Sequence, residues 1–248
     1  MRSLVLATVA FCVLFAGQAF ALQPFQYEPA MKHWLSLSDY ELQDEDKLAR
    51  WYIRQHQRQV YNRYRNDEFE FRRRLEAAKT EGLSWLSDVN DSPYVMMVNI
   101  SFGEYDFERE AFPIETRFGE GYYFYQSGSG VSAPFEKPDG AAHERLDELS
   151  SMVIMSFRNY EVMQDLYLPM SPEKAEAFVA ERRNSRGTVN RSLRLRLVAE
   201  AREADLTDGI RHQFRTLQNV MRLRTDIQEA AIYPADGRLD NPLKEIEI

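Results

Sequence analysis

The stretch from Tyr94 to Tyr125 restricts the fold more than any other part of the sequence, because it is dense in β-branched and aromatic residues. Such residues favour extended strands. Gly103, Pro113 and Gly121 divide the stretch into short segments. Residues 95–100 place apolar side chains on both faces of an extended chain, which is typical of a central strand. The stretch therefore predicts the first strands of an antiparallel sheet.

Further strands are predicted from alternating polarity. The clearest is Leu193 to Ala199, where leucines alternate with Arg194 and Arg196. In residues 104–108, Tyr105 and Phe107 alternate with acidic residues, which predicts another half-buried strand. Further strands are predicted at residues 122–125, 152–157 and 160–168, and one or two more at 220–233.

Helices are predicted on both sides of the first strands. Apolar residues from Leu48 to Ala78 recur at steps of three and four, with Asn66-Asp67 as a division and Gly82 as the end. Residues 22–38 form an irregular lead-in, and Ser38-Asp39 or Asp44 is expected to cap the helix that follows. A further helix is expected to begin with its N-cap at Ser171, followed by Pro172 and Glu173, and to end at Gly187.

Three short segments complete the assignment: residues 128–140 predict a loop, 143–149 a short helix and Asp236-Gly237 a turn. Together the patterns predict an α+β fold with a largely antiparallel β-sheet, an N-terminal helical arm and one further packed helix. The lead-in and arm occupy residues 22–91 and the β-rich core residues 92–248. We expect residues 22–248 to form a single domain, as that length permits.

The first 21 residues are typical of a cleavable signal peptide. Arg2 supplies a positive charge, Leu4 to Phe15 form an apolar core, and Ala19-Phe20-Ala21 matches the small-x-small pattern before a cleavage site. The apolar stretch is shorter than the roughly 20 residues that span a membrane. We therefore expect cleavage after Ala21 and a product in the periplasm or outside the cell, without an integral membrane segment.

Cysteine content and charge limit the partners and the chemistry. Cys12 is the only cysteine and lies within the predicted signal, away from the first mature position, which argues against a lipid anchor. The exported chain then lacks disulfides, thiolate metal sites and a cysteine nucleophile. The net charge of −8 disfavours nucleic acid and anionic lipid as partners, because both are negatively charged.

Three short blocks also occur together in a known group of proteins: Asn66-Asp67-Glu68-Phe69-Glu70-Phe71, Gly103-Glu104-Tyr105-Asp106-Phe107 and Leu168-Pro169-Met170. In these blocks the sequence resembles a family of exported bacterial proteins of unknown function. The resemblance implies a bacterial periplasmic or secreted protein. It assigns no catalytic residue.

Two groups of residues are candidates for binding a ligand or a partner. Arg182, Arg183, Arg186 and Arg191 surround Gly187 and are suited to gripping an anionic group, although arginines also complement a helix C-terminus. Residues 122–125 are all aromatic and suit stacking on sugars or peptides. Because faces alternate along a strand, only about half of the group, such as Tyr123 and Tyr125, can share a surface, and core packing is the favoured use of the group.

Candidate metal sites are weaker. Glu104, Asp106 and Glu108 offer oxygen ligands to a cation, but same-face residues of a strand lie roughly 7 Å apart. His143 and Asp147 are four residues apart on a predicted helix, whereas zinc requires three or four protein ligands. His56 lies on an apolar helical face, where packing is the usual role. No metal and no cofactor is predicted.

The sequence also lacks the motifs of common enzyme classes, such as Gly-x-Ser-x-Gly, His-Glu-x-x-His and glycine-rich phosphate loops. The favoured hypothesis is a non-enzymatic exported protein that binds another envelope or secreted protein. The alternative is a hydrolase of envelope polymers that acts through paired carboxylates, which converge only in the folded chain.

Overall fold

The computed structural model describes residues 21–38, 45–119, 121–127, 152–212, 215–217, 219–236, 239 and 241–248. The helices in these residues are α1 (Tyr27–Leu37), α2 (Glu45–His56), α3 (Arg58–Tyr64), α4 (Glu68–Ser87) and α5 (Pro172–Glu181). The strands are β1 (Gln23–Pro24), β2 (Tyr94–Phe102), β3 (Ala111–Glu115), β4 (Tyr123–Ser127), β5 (Met152–Phe157), β6 (Tyr167–Pro169), β7 (Ser192–Thr207), β8 (Ile210–His212), β9 (Arg215–Leu217), β10 (Val220–Pro234) and β11 (Lys244–Ile246). The predicted signal through residue 20, the loop at 128–140 and the helix at 143–149 lie outside the described residues.

One mixed sheet carries most of the strands. Its main order is β4-β5-β10-β7-β2-β3-β6, with β1 added to β2 and β11 added to β10. The pairs β5–β10 and β1–β2 are parallel, and the other pairs in this sheet are antiparallel. The predicted α+β fold with a largely antiparallel sheet is therefore confirmed. Strand β2 is central, between β7 and β3, as its apolar faces predict.

The main core lies on one face of this sheet. The alternate apolar residues from Leu193 to Ala199 in β7 are completely buried, which confirms the strand predicted there. Helix α1 covers this face with Ala30, Met31 and Trp34, all of which are buried. The indole Nε1 of Trp34 donates a 2.8 Å hydrogen bond to the backbone oxygen of Asp205. This bond fixes α1 across the long β7–β10 pair.

The lead-in prediction for residues 22–38 was wrong, because Tyr27–Leu37 is a buried helix. Pro29 indicated irregular chain, but it lies in the first helical turn, where the missing N–H would have no intrahelical partner. Ser38 is the C-cap of this helix rather than the N-cap of the next. Asp39 and Asp44, the other proposed capping residues, lie outside the described residues.

The predicted helical arm consists of α2, α3 and α4. The division at Asn66-Asp67 is confirmed, since α3 ends at Tyr64 and the Asp67 side chain caps α4 by accepting from the backbone N–H of Glu70 at 3.1 Å. The arm has a small apolar cluster of its own between α2 and α4. Its buried members are Ala49, Ile53, Phe71, Leu75 and Ala78.

Gly82 does not end the last arm helix, which continues to Ser87. A Cβ at Gly82 would lie 3.3 Å from Cγ of Leu48, a closer approach than most side chains tolerate. The glycine therefore allows α4 to pack closely against α2, and the stop predicted there was wrong.

Two other predicted elements were wrong for local reasons. Residues 104–108 form a turn rather than a strand, because Asp106 Oδ1 accepts from the backbone N–H groups of Glu108 and Arg109 at 2.9 and 3.1 Å. Residues 160–168 contain a 3₁₀ turn at Tyr160–Met163 and only the short strand β6. The Asn159 side chain starts that irregular segment by bonding both the N–H and the oxygen of Ile227.

The remaining boundaries are close to their predictions. Strand β5 matches 152–157, β4 is displaced by one to two residues, and 220–233 is the single long strand β10. Ser171 is the N-cap of α5 as predicted, but the helix ends at Glu181 instead of Gly187. Gly187 has φ +81° and serves the tight turn after the helix, where its N–H donates to Asn184.

Candidate functional site

A cavity of about 400 Å³ lies between the turn that follows β2 and helix α5. One wall is aromatic and consists of Tyr105, Phe107 and Phe112. The opposite wall is formed by α5, with the apolar residues Pro172, Ala175 and Val179 and the carboxylates Glu173 and Glu176. Its volume and apolar lining are typical of a small binding pocket. We call this cavity the β2–α5 pocket.

The turn that carries Phe107 is held by hydrogen bonds to the Asp106 side chain within the turn and by Arg191, which is distant in the sequence. Asp106 bonds two backbone N–H groups within the turn. At its start, the guanidinium of Arg191 donates to the backbone oxygen of Gly103. The N–H of Gly103 in turn donates to the oxygen of Pro113 at 2.8 Å. These bonds fix the turn relative to β3 and β7.

The aromatic wall is packed edge to face. The Tyr105 ring lies 4.9 Å from Phe107 and 5.0 Å from Phe112, both at steep interplanar angles. The Tyr105 hydroxyl donates to the oxygen of Met170 at 2.6 Å, just before α5 begins. Phe107 is nevertheless 77% exposed. An aromatic ring held in place yet open to solvent is a feature of binding anchors rather than of cores.

Carboxylates make the β2–α5 pocket electronegative. Burial raises the pKa of the Tyr105 hydroxyl, and the negative charges of Glu110, Glu173 and Asp106 raise it further. The backbone N–H of Glu173 and the Ser171 hydroxyl hold the pKa of the Glu173 carboxyl below its usual value, so that Glu173 stays ionised. The turn at 104–110 carries four acidic residues and one arginine. The pocket therefore favours a ligand that is both apolar and positively charged.

The four predicted arginines differ in their contacts. The Arg182 guanidinium lies 3.7 Å from the Phe178 ring centre, and burial lowers its pKa. Arg191 lies over Phe102 and binds the Gly103 oxygen, so it supports the β2–α5 pocket from behind. Arg183 and Arg186 are exposed in the turn between α5 and β7. The predicted basic loop is thus divided between packing and surface positions.

The predicted tyrosine pair lies on the other face of the sheet from the main core. Tyr123 packs beside Met152, Ile154 and Val220, and Tyr125 is 47% exposed. Their neighbours Tyr122 and Phe124 pack toward the main core, as the alternation predicts. Tyr123 and Tyr125 thus share a surface, and neither lines the β2–α5 pocket.

The histidines take packing positions where the structure describes their side chains. His56 is stacked on Tyr52 with ring centres 4.9 Å apart, and burial lowers its pKa. His33 is buried, with Nδ1 3.1 Å from the Tyr94 hydroxyl. His143 and Asp147 lie outside the described residues. Within the described part of the chain, no cluster of three or more His, Cys, Asp or Glu side chains is arranged to hold a metal ion.

The segments that bear on export are described only in part. Ala21 is exposed, and Ala19 lies outside the described residues. None of the helices in the described ranges combines the length and the apolar character that crossing a membrane requires.

The fold and the pocket define an α+β protein in which an aromatic turn and a helix enclose an acidic, apolar-lined cavity. Residues 44–181 match the model of a family described as Domain of unknown function (DUF4852). The match covers more than half of the chain, which therefore belongs to this family, and the resemblance to a family of unknown function is confirmed. No curated protein and no solved structure gives a significant match.

All three blocks that carried the resemblance lie within the matched region, and two of them adjoin the β2–α5 pocket. The pocket was missed at the sequence level because residues 104–108 were assigned to a strand, which would bury Phe107 or hide it on a flat face. The available signal was Asp106 itself, since an aspartate side chain often bonds the backbone two residues further on and so favours a turn.

Proposed function

We propose that this protein is an exported binding protein of the periplasm or the extracellular space, and that its β2–α5 pocket takes a cationic, apolar segment of another envelope or secreted protein. The observation that supports this proposal is the exposed, rigidly placed Phe107 above an apolar cavity bordered by carboxylates. Aromatic anchors in pockets commonly dominate the free energy of protein recognition. The surrounding negative charge selects basic partners and accelerates their association.

The carboxylates of the pocket fit binding better than hydrolysis. A glycosidase places two carboxyl groups on opposite sides of the scissile bond and raises the pKa of the one that acts as the acid. Glu173 and Glu176 instead lie side by side on one helix face, three residues apart. The pKa of Glu173 is lowered, which opposes a role as the general acid.

A short synthetic peptide with a central Phe between arginines tests the pocket directly. We expect the purified protein to bind this peptide in a fluorescence anisotropy titration and to bind poorly the same peptide with glutamates in place of the arginines. Phe107→Ala should weaken binding at least about tenfold because it removes the aromatic anchor. Glu176→Lys should weaken binding about threefold, and less so at high salt.

Glu181→Lys is the matched control, because Glu181 is also an exposed carboxylate of α5 but does not line the cavity. It should bind the peptide like the unmodified protein. Equal affinity for the arginine and glutamate peptides, or full binding by Phe107→Ala, would refute the proposed role of the pocket.

Export is tested by the N-terminus of the native protein. We expect the protein recovered from its source to begin at Leu22, after the Ala19-Phe20-Ala21 pattern. Replacing Ala19 and Ala21 with bulky residues should block this processing, because the peptidase accepts small residues at these positions. A native protein that still begins at Met1 would contradict the proposal.

A further inference from the structure

The tip of the helical arm carries the other highly exposed aromatic side chain. Phe69, in the first turn of α4, is 82% exposed, whereas Phe71 two residues later is buried in the arm cluster. Phe69 and Phe107 are the most exposed large apolar side chains among the described residues. Phe69 lies eighteen residues before Ser87, or about 27 Å along the helix axis. It is therefore presented at the end of α4 that is far from α1.

Arginines share the helix face of Phe69, although its direct sequence neighbours are Glu68 and Glu70. Residues 58–74 contain six arginines and three acidic residues, in a protein with a net charge of −8. Arg72 and Arg73 follow Phe69 by three and four residues, so they share its face of the helix. Glu70, beside Phe69 in sequence, is paired with Arg73 at 2.7 Å. Residues 65–74 thus present an apolar ring with arginines on the same helix face. We call residues 65–74 the arm tip.

The arm tip is complementary to the β2–α5 pocket. The tip offers an exposed phenyl ring with arginines on the same helix face. The pocket offers an aromatic wall of Tyr105, Phe107 and Phe112 with Glu173 and Glu176 opposite. Aromatic side chains pack favourably edge to face, and arginine–carboxylate pairs are strong and directional. Each copy of the chain carries both halves of this match.

We infer that the β2–α5 pocket binds the arm tip of a second copy of this chain, with Phe69 as the inserted side chain. This inference rests on the proposed binding function of the pocket and names its partner. Because the tip and the pocket are different surfaces, the contact is heterologous. When repeated, the contact either extends from copy to copy as an open chain or closes into a small ring, in which each copy inserts its arm tip into the pocket of the next. A contact of this small size binds weakly, so it operates at high local concentration.

Sedimentation velocity of the purified protein tests the inference over concentrations that reach about 1 mM, because small interfaces give weak complexes. The mean mass should rise with concentration and fall again at high salt. Phe69→Ala and Phe107→Ala should each weaken association at least about tenfold. Leu83→Ala is the matched control, since Leu83 is an exposed residue of the same helix outside the tip, and it should associate normally.

Mixing the two alanine variants gives the sharpest result. Phe69→Ala retains an intact pocket and Phe107→Ala an intact tip, so the mixture should form one-to-one complexes that neither variant forms alone. Neither residue is buried, so both variants should keep the melting temperature of the parent protein. A mixture that stays monomeric, or association that ignores Phe69→Ala, would overturn the inference.

The peptide titration separates this inference from the proposed function. A monomeric protein that still binds the Phe–Arg peptide in the pocket would overturn self-association and leave the binding function in place. Association that requires Phe69 and Phe107 without any peptide binding would restrict the pocket to a second copy and refute the broader function.

Discussion

At the scale of single residues, the pocket depends on contacts that lie behind it. Phe107 is exposed, but the turn below it is held by Asp106, by Gly103 and by the guanidinium of Arg191. Arg191, one of the arginines proposed for ligand binding, holds the start of the turn in the structure. Its guanidinium binds the backbone oxygen of Gly103, directly after β2, and the turn that follows projects toward α5.

Gly103 is the most restricted of these positions. A Cβ there would lie 2.9 Å from Cγ of Pro113, closer than side chains are normally found. Gly103→Ala should therefore displace the turn, lower the free energy of unfolding by about 1–3 kcal/mol and weaken peptide binding in the pocket. Gly119→Ala is the control, because no atom lies within 4 Å of the added methyl group. Urea unfolding of both variants measures the difference, and equal stability would contradict the steric argument.

His33 makes stability depend on pH. Burial lowers the pKa of His33 below its usual 6.5, although Asp91 and Glu200 partly oppose the effect. The unfolded chain therefore binds the proton more readily than the folded chain. The free energy contributed by neutral His33 is complete above about pH 6.5 and is lost as the pH falls from there through the folded-state pKa. The contributions of other charged groups near the ring are separated from that of His33 by comparing the protein with a His33 variant.

Urea unfolding at about pH 7.5 and about pH 5 should show a smaller loss of stability in His33→Gln than in the parent protein, because the variant lacks this proton linkage. His56, whose pKa is also lowered by burial, is present in both proteins, so its contribution cancels. Equal losses in the two proteins would show that His33 takes up its proton without affecting folding.

At the scale of elements, the sequence predicts the helices and strands whose apolar side chains recur at a single helical or strand period. The alternation at Leu193 to Ala199 and the stripe from Leu48 to Ala78 both correspond to observed elements. Where the prediction fails, a local contact outweighs the period. Asp106 bonds its own turn in preference to extending a strand, and Gly82 is retained inside a helix by the approach of Leu48. The pocket depends on the turn at Asp106, so the alternating polarity of residues 104–108, which predicts a strand, did not indicate it.

Strand β7 should be the element least tolerant of a charge. Leu195 is completely buried and lies between Val98 of β2 and Ile232 of β10 in the sheet register. Leu195→Asp would bury an unpaired carboxylate and should destabilise the protein by more than about 4 kcal/mol. Met97→Asp, on the exposed face of β2, should have little effect. Circular dichroism melting compares them, and an unchanged melting temperature for Leu195→Asp would contradict its burial.

At the scale of the whole molecule, the described residues form one main apolar cluster and two smaller ones, of which one lies in the arm. The main cluster unites the sheet face with α1 and α5, whereas the arm cluster has only five buried members between α2 and α4. Charge is also unevenly distributed, since residues 58–74 carry six arginines and three acidic residues, whereas Glu173 and Glu176 line the pocket. The two surfaces proposed to meet between copies therefore belong to parts of the molecule with different packing.

The difference in size between the main cluster and the arm cluster predicts that the arm and the sheet open at different free energies. Because its cluster is small, the arm should unfold locally at a lower free energy than the sheet, so amide protons of α2 and α4 should exchange before those of β7 and β10. Leu75→Ala removes a buried arm side chain and should lower the free energy of opening of the arm by about 2–5 kcal/mol while the slowest sheet amides change little. Leu195→Ala should lower protection in the main core by a similar amount, and Leu83→Ala, at an exposed position, should change neither. Native-state hydrogen exchange by mass spectrometry resolves these segments. Equal loss of protection in β7 and α4 on Leu75→Ala would mean that the arm and the sheet open as one cooperative unit. The arm tip would then be as stable against local opening as the pocket that it is proposed to enter.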